Sequence, residues 1–255
     1  MTLDQDYLES GYCLVKHFIH GAELSALREI ALRFKASWID TNREFYSTRA
    51  VNAAYLTNGE HINEADRLSL FQLIASKKLR LQLKKVFRQS PAFMNTQLFF
   101  NPYNKKQKNY WHRDPQYHLN IEQQKRALQG ADVVHFRIAL KDEPGIELVP
   151  KSHKNWDSEE ELSVRMQTNG RVNSDDLSSG KLIPLQAGDL LIFSANMIHR
   201  GVYGLNRLSL DILLCDAVPK LLEFAQEDCL PQLQVLKYLT HPEVFELTRK
   251  IKSNH

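Results

Sequence analysis

The feature that most constrains the fold is a series of short, apolar and β-prone runs between residues 92 and 216. The runs lie at residues 94–101, 133–140, 182–185, 189–193 and 208–215, and turn residues separate them. A parallel pair would need a crossover connection of a dozen or more residues, usually a helix, and no such helical pattern lies between these runs. The sequence therefore predicts antiparallel sheets arranged as a jelly roll or barrel.

Helical patterns flank this strand region on both sides. Residues 22–38 and 63–88 carry apolar side chains at the spacing of an amphipathic helix, and the chain from Lys220 onward is typical of short helices interrupted by Pro231 and Pro242. We expect a single domain over residues 1–255. Its parts are an N-terminal strand and helices (1–91), the jelly-roll core (92–216) and C-terminal helices (217–255).

Two polar segments lack a clear period. Residues 40–59 contain scattered aromatic and polar side chains and favour a surface loop, with one wall of a pocket as the alternative. Residues 157–181 are rich in Ser, Asn and acidic residues, and a loop of this length in a compact domain is typically functional or disordered. We predict that residues 157–181 form a mobile lid over the site.

Composition limits the possible partners and compartment. The formal net charge is only +3, which gives no reason to expect nucleic-acid binding. The three cysteines, Cys13, Cys215 and Cys229, lack the spacing of a disulfide framework or zinc site. The N-terminus has no apolar signal region, and no run approaches the roughly 20 apolar residues that span a bilayer. We therefore expect a cytoplasmic protein without a membrane segment, and no pattern indicates an oligomeric state.

Two histidines and one carboxylate form a candidate metal site. His112 and Asp114 are two residues apart, so on an extended chain their side chains point to the same face. His199 follows the apolar run 190–193, which is typical of a buried strand that could bring a second imidazole to them. Two imidazoles and one carboxylate on one face of a metal, with the other positions open, suit ferrous iron used with dioxygen.

Several motifs, in this order and at these separations, resemble the phytanoyl-CoA dioxygenase-like branch of the iron and 2-oxoglutarate-dependent oxygenases. The resemblance runs from residue 11 to Ser209. Its most specific parts are residues 111–114 (WHRD), 139–142 (ALKD), 149–153 (VPKSH), 188–193 (GDLLIF), His199 and residues 206–209 (NRLS).

The resemblance implies a mainly β, α+β fold, a cupin-like double-stranded β-helix buttressed by terminal helices. It implies that His112, Asp114 and His199 bind Fe(II) and that 2-oxoglutarate and O₂ are cosubstrates. Arg207 corresponds to the arginine that binds the far carboxylate of 2-oxoglutarate, and its planar fork suits a carboxylate better than lysine does. Ser209 lies two residues further along the same strand and could assist.

The chain departs from the family pattern at three positions. Lys151 replaces a common glycine, Asn101 stands where a lysine near the cosubstrate is frequent, and Arg137 occupies a position that is more often aromatic. Asn101 is therefore a third candidate contact to the cosubstrate. Candidate substrate contacts are Arg137, Gln97 and Tyr46. The alternation of residues 133–140 leaves open whether His135 and Arg137 face solvent or a cavity.

Three functions are compatible with these residues. The first is an oxygenase that converts 2-oxoglutarate to succinate and CO₂ and hydroxylates an unactivated carbon of a small molecule. The second is a cupin-like metal-dependent isomerase or hydrolase in which Arg207 binds another acid. The third is a non-catalytic binding module, which the intact set of ligands disfavours. Asp114 disfavours a halogenating variant, which needs that carboxylate to be absent.

Overall fold

The computed structural model describes residues 4–254, in which nine strands form two antiparallel sheets. The strands are β1 (Tyr12–Val15), β2 (Asn52–Ala54), β3 (Ala92–Phe100), β4 (Val133–Ala139), β5 (Glu143–Leu148), β6 (Lys181–Leu185), β7 (Leu190–Ser194), β8 (His199–Gly201) and β9 (Leu208–Cys215). The larger sheet has the order β1-β7-β4-β9-β3-β2, and the smaller has the order β6-β5-β8. This arrangement confirms the predicted jelly roll.

Helices precede and follow the strand region, as the sequence predicted, and two further helices, at residues 121–127 and 159–166, lie between strands, where the sequence predicted none. They are α1 (Gln5–Ser10), α2 (Gly21–Thr41), α3 (Arg43–Thr48), α4 (Glu64–Ile74), α5 (Lys77–Val86), α6 (Ile121–Ala127), α7 (Glu159–Met166), α8 (Pro219–Leu222), α9 (Leu233–Leu236) and α10 (Glu243–Ser253). Short 3₁₀ turns lie at Asp114–Tyr117 and Glu227–Cys229. None of the helices within residues 4–254 combines the length and apolar character that crossing a membrane requires.

The central strand β4 separates the helix-packed core from the inside of the jelly roll. Val134, Phe136 and Ile138 are at most 1% exposed and pack in the cluster that contains the apolar face of α2. Removing each such side chain from water contributes roughly 1.5–3 kcal/mol. The alternate residues, His135 and Arg137, therefore point to the inner face of the sheet, towards the smaller sheet. The inner face is buried too, so the cavity-facing alternative is confirmed for both residues.

The prediction of one helix over residues 63–88 is wrong. The chain forms α4 and α5, which are separated by Ala75 and Ser76. The Ser76 hydroxyl accepts a hydrogen bond from the Leu79 amide at 3.2 Å and so caps the start of α5. The interruption is only two residues long, and the apolar spacing continues nearly in phase across it, which is why the periodicity concealed the break.

The prediction of a surface loop over residues 40–59 is also wrong. This segment contains the end of α2, the short helix α3 and the edge strand β2, which pairs with β3 from Asn52 opposite Phe99 to Ala54 opposite Gln97. An edge strand of three residues carries little periodicity of its own, because its pairing is set by the strand beside it. The alternative reading as a pocket wall applies to part of the segment, since Val51, Asn52 and Tyr55 line the main cavity.

Residues 157–181 are not one continuous loop. They contain α7, whose first turn is closed by a capping box: the Ser158 hydroxyl accepts from the Glu161 amide, and the Glu161 carboxylate accepts from the Ser158 amide. The Ser-x-x-Glu spacing that signals this cap is present in the sequence, but the density of polar residues obscured it.

Candidate metal centre

A backbone bridge brings the two histidines together. The amide of His112 donates to the carbonyl of His199 at 3.0 Å, and the amide of His199 donates to the carbonyl of His112 at 2.9 Å. This is a single bridge and not a continuous strand pairing. The backbone is nevertheless extended at Arg113, before the 3₁₀ turn begins at Asp114. His112 and Asp114 therefore still point to one side.

Three side-chain atoms converge at this bridge. Nε2 of His112 lies 3.4 Å from Oδ1 of Asp114, and Nε2 of His199 lies 3.6 Å from the same oxygen. The ligand atoms of the three residues lie within 4.8 Å of one another, so they could hold one metal ion. Two imidazole nitrogens and one carboxylate oxygen on one side of an ion leave its remaining positions open, which is the arrangement of non-heme Fe(II) oxygenases.

Both histidines are oriented for metal binding. Nδ1 of His112 donates to the carbonyl of Tyr110, and Nδ1 of His199 donates to the carbonyl of Met197, each at 3.1 Å. Such contacts fix the tautomer so that Nε2 is the free nitrogen. Burial, followed by the neighbouring His112, lowers the pKa of His199 to about 3. The ring is therefore neutral at physiological pH, as a metal ligand must be.

Asp114 belongs to a buried chain of polar side chains that sequence reasoning missed. Its Oδ2 lies 2.8 Å from Nε2 of His135, and Nδ1 of His135 lies 2.9 Å from Oδ2 of Asp211. Arg137 donates to both oxygens of Asp211, at 2.7 and 2.8 Å. Burial opposes the charged ring, but the hydrogen bonds and charges of Asp114 and Asp211 outweigh burial and raise the pKa of His135 to about 9.

The same balance operates on the metal-facing carboxylate. Burial alone would raise the pKa of Asp114, but the neighbouring His112 and His135 side chains hold that pKa well below its usual value. Asp114 is therefore ionised at physiological pH. The strand alternation at residues 133–140 indicated that His135 and Arg137 share a face, but nothing in the sequence marks Asp211, which lies inside an apolar run on β9.

Arg207 lies at another end of the same cavity, with hydrogen-bonding capacity left over. Its guanidinium is buried 5.4 Å from the ring centre of Phe99, and its Nε lies 3.3 Å from Oε2 of Glu143. Among residues 4–254, neither Nε nor Nη2 of Arg207 has a hydrogen-bond partner. Gly201 makes room for it, since a Cβ there would lie 2.6 Å from Nη2. The arrangement can receive a carboxylate.

One cavity of about 580 Å³ contains the three candidate metal ligands and Arg207. This volume is in the range of small-molecule sites. Its remaining wall has a polar part and an apolar part. The polar part includes Asn52, Asn95, Gln97, Tyr110 and Tyr203, and the apolar part includes Met94, Val133, Leu213, Leu221 and Phe224. Gln97 and Arg137, two of the three candidate substrate contacts, also line the cavity.

Three predicted site residues lie elsewhere. Tyr46 packs against Phe100 and Tyr103, with ring centres 5.7 and 5.6 Å apart, and does not line the cavity. The Asn101 side chain accepts from the Gly204 amide at 2.8 Å, so it holds the turn before Arg207.

Ser209 is the third of these. Its hydroxyl donates to Oε2 of Glu143 at 2.7 Å, and it is fully buried. Ser209 and Asn101 thus support the surroundings of Arg207 without lining the cavity. The sequence gives no indication that Glu143 belongs to the site, because Glu143 pairs with Arg207 from a strand that is distant in the chain.

Residues 157–181, which the sequence predicted as a mobile lid, lie away from the cavity in this structure. None of them is among its lining residues. The buried Asp157 carboxylate accepts from Arg113 at 2.7 Å and from Arg165 at 2.8 Å. Further along, the Trp111 indole donates to the carbonyl of Asp175 at 3.0 Å. Trp111 and Arg113 alternate with His112 and Asp114 along the chain, so they point to the opposite side from those two candidate ligands. The contacts therefore hold the segment on the side of this turn that faces away from the cavity.

The fold and the three converging side chains define the class of protein as a jelly-roll protein with a candidate site for one metal ion. The sequence pattern of the phytanoyl-CoA dioxygenase family matches residues 7–202, well over half of the 255 residues. The chain therefore belongs to the phytanoyl-CoA dioxygenase family, and the resemblance that the motifs suggested is confirmed. A comparison with curated proteins found no match.

Three solved structures illustrate the shared fold. EctD from S. alaskensis, with 2-oxoglutarate and 5-hydroxyectoine, has 14% sequence identity, covers 83% of this chain and 74% of its own, and gives a TM-score of 0.61. AviO1 from Streptomyces viridochromogenes Tue57 has 17% identity, coverage of 83% and 92%, and a TM-score of 0.58. The epimerase SnoN from nogalamycin biosynthesis has 16% identity, coverage of 83% and 79%, and a TM-score of 0.51. At these identities the likeness establishes the shared fold.

Proposed function

We propose that this protein is an Fe(II)- and 2-oxoglutarate-dependent dioxygenase that hydroxylates an unactivated carbon of a small molecule, with release of succinate and CO₂. The observation that carries the proposal is the presence in one cavity of His112, Asp114 and His199 together with Arg207, whose Nη2 has no partner among the described residues. Family membership supports it, and 2-oxoglutarate is bound in the EctD structure of similar fold.

The metal would be held by Nε2 of His112, Nε2 of His199 and Oδ1 of Asp114. These donors fit ferrous iron, since imidazole and carboxylate ligands on one face suit a non-heme Fe(II) site. When bound, iron with 2-oxoglutarate and dioxygen supplies the oxidation of a carbon–hydrogen bond. The protein's own contribution is to orient both imidazoles through their Nδ1 contacts, to keep His199 neutral and to keep Asp114 ionised.

Arg207 would receive the far carboxylate of 2-oxoglutarate. Its guanidinium is buried, so a carboxylate placed against it is desolvated and gains a charge-assisted pair of hydrogen bonds. Glu143 approaches on the Nε side, which leaves the Nη side for the ligand. Neither Ser209 nor Asn101 would contact the ligand, because neither lines the cavity.

The part of the substrate that lies beyond the metal would be uncharged. The apolar wall of the cavity is formed by Met94, Val133, Leu213, Leu221 and Phe224. The charged lining residues there, Lys220 and Glu223, are exposed at the rim, so a charge buried against this wall would have no close counter-ion. Asn52 and Gln97, on the neighbouring polar wall, would hydrogen-bond a neutral polar group.

Binding of 2-oxoglutarate tests the proposal without knowledge of the substrate. The protein is loaded with Co²⁺ as a redox-stable substitute for iron, and 2-oxoglutarate is titrated into it by calorimetry. We expect binding only when metal is present. Arg207→Ala should weaken it by about 2–5 kcal/mol, roughly 30- to 5,000-fold, because the carboxylate loses its buried partner. Arg207→Lys is the matched control for charge without the planar fork, and it should recover only part of the affinity.

A substrate screen then tests the reaction. Candidate small molecules are added with Fe(II), 2-oxoglutarate and O₂, and succinate and oxidised product are measured together. Stimulated succinate with one oxygen atom added to the compound supports hydroxylation. Metal-dependent conversion of a compound without 2-oxoglutarate consumption would instead support the isomerase or hydrolase alternative.

A further inference from the structure

Each of the three metal-binding side chains has a hydrogen-bond partner behind it, but one partner differs from the others. His112 and His199 are held by the backbone carbonyls of Tyr110 and Met197. Asp114 is held by a side chain, since its Oδ2 lies 2.8 Å from Nε2 of His135. Of these three contacts, therefore, only the one to Asp114 can be removed by replacing the partner's side chain.

The His135 ring is itself held firmly in place. It is 2% exposed and stacks on Phe193, with ring centres 4.5 Å apart and planes 5° from parallel. On its other edge, Nδ1 lies 2.9 Å from Oδ2 of Asp211, which is on the neighbouring strand β9. Asp211 is fixed in turn by two hydrogen bonds from Arg137. The ring cannot turn without breaking contacts on both edges and the stack.

These contacts give the two oxygens of Asp114 different roles. Oδ1 is the atom that faces the ligand nitrogens of His112 and His199, at 3.4 and 3.6 Å. Oδ2 faces His135. We propose that His135 is a positioning residue that restricts Asp114 to binding the metal through Oδ1 alone, with Asp211 holding His135 in place. This inference rests on the proposed metal site.

The restriction matters because it preserves open positions on the metal. Iron(II) in this kind of site is six-coordinate, and three protein atoms leave three positions. A two-point chelate such as 2-oxoglutarate uses two of them and leaves one for dioxygen. If Asp114 also bound through Oδ2, that last position would be lost. Held away by His135, Oδ2 cannot reach the ion.

The alternative is that His135 merely satisfies two buried carboxylates and has no influence on the metal. A pair of substitutions separates the two roles. In His135→Gln the side-chain nitrogen can take the place of Nε2 and donate to Asp114. In His135→Asn the nitrogen can take the place of Nδ1 and donate to Asp211, but it does not reach Asp114. Both variants lose the ring and its stack on Phe193, so they are matched for that loss.

The readouts are the Co²⁺ affinity and the visible spectrum of the Co²⁺-loaded protein, whose intensity depends on the coordination number. We expect His135→Asn to weaken Co²⁺ binding by about 10- to 100-fold and to change the spectrum, as loss of an outer hydrogen bond to a ligand commonly does. His135→Gln should stay within about threefold of the wild-type affinity and keep its spectrum. Far-UV circular dichroism and the unfolding temperature establish that both variants fold.

Equal affinities and spectra in both variants, whether unchanged or equally altered, would overturn the role of the Asp114 contact. If His135→Asn does not fold, X-ray absorption of the Co²⁺-loaded wild-type protein decides the question, because it distinguishes one carboxylate oxygen from two at the metal. Two oxygens would overturn the inference. A wild-type protein that binds no Co²⁺ would instead contradict the proposed metal site itself, so the two failures are distinguishable.

Discussion

Replacing Gly201 with alanine should weaken 2-oxoglutarate binding while the fold is kept. The backbone at Gly201 needs no left-handed conformation, so alanine is compatible with β8. The new Cβ, however, would lie 2.6 Å from Nη2, 2.8 Å from Nη1 and 3.0 Å from Cζ of Arg207. Because carbon and nitrogen atoms in contact are about 3.5 Å apart, the guanidinium must retreat by roughly 1 Å.

The size of the effect follows from that displacement. A shift of about 1 Å in a binding group can cost up to 100-fold, so we expect 10- to 100-fold weaker 2-oxoglutarate binding, about 1.4–2.7 kcal/mol. The loss should be smaller than in Arg207→Ala, because the displaced cation remains in the cavity. The fold should change little, because the group that moves is the end of a side chain.

Calorimetric titration of 2-oxoglutarate into the Co²⁺-loaded protein measures this effect. Gly130→Ala is the matched control, since the nearest atom to a Cβ there is 3.6 Å away. Unchanged 2-oxoglutarate affinity in Gly201→Ala, at an unchanged unfolding temperature, would refute the reasoning, because it would mean that the position of Arg207 does not determine cosubstrate binding.

Three further predictions concern the metal, pH and the segment 157–181. Asp114→Ala should abolish metal retention after gel filtration together with turnover, and retained iron would exclude Asp114 as a ligand. Burial and, to a lesser extent, the charge of Asp216 raise the pKa of Asp132 to about 6 from 3.8. The protonated carboxyl of Asp132 stabilises the fold below pH 4, and this contribution is lost as pH rises through 6. Buried histidines such as His199 act in the opposite direction over the same window, so the effect is measured as a difference: from pH 4 to 6 the free energy of unfolding of the wild-type protein should fall by on the order of 1–3 kcal/mol relative to that of Asp132→Asn. The backbone amides of residues 160–166 should exchange their hydrogens slowly both with and without metal and 2-oxoglutarate. A large increase in protection when metal and 2-oxoglutarate are added would instead support the prediction that this segment is a lid.

The sequence predicts those parts of the site that depend on local spacing. The two-residue separation of His112 and Asp114 survives in the structure because the backbone is extended at Arg113. The alternation along β4 predicts which residues share a face with His135. These predictions succeed because side-chain direction in an extended chain follows directly from residue parity.

The contacts that complete the site could not be predicted in this way. Glu143 beside Arg207 and Asp211 beside His135 lie on strands far apart in the chain, and an ion pair between distant strands leaves no periodic signal. Tyr46 shows the opposite error. An aromatic residue in a polar segment suggested a substrate contact, but Tyr46 is half-buried against the ring of Phe100 on the helix-packed side of the fold.

Two arginines flank the Phe99 ring inside the cavity, and their different hydrogen bonding separates their roles. Arg137 lies 4.3 Å from the ring and Arg207 5.4 Å. Buried ion pairs recover their desolvation cost only with good geometry, so neither arginine is explained by stability alone. Arg137 uses Nε and Nη2 on Asp211, and of its nitrogens only Nη1 lacks a partner among the described residues.

Arg207 is bonded less completely to its carboxylate partner, Glu143, than Arg137 is to Asp211. Its Nε lies 3.3 Å from Glu143 without forming a hydrogen bond, and its Nη2 also lacks a partner among residues 4–254. An unsatisfied buried polar group costs about 1–3 kcal/mol, and more when it is charged. A ligand carboxylate against Arg207 removes that cost as it binds, whereas the same ligand against Arg137 would compete with Asp211. We therefore expect an acidic cosubstrate to bind at Arg207, and Arg137 to hold Asp211, and through it His135, in place.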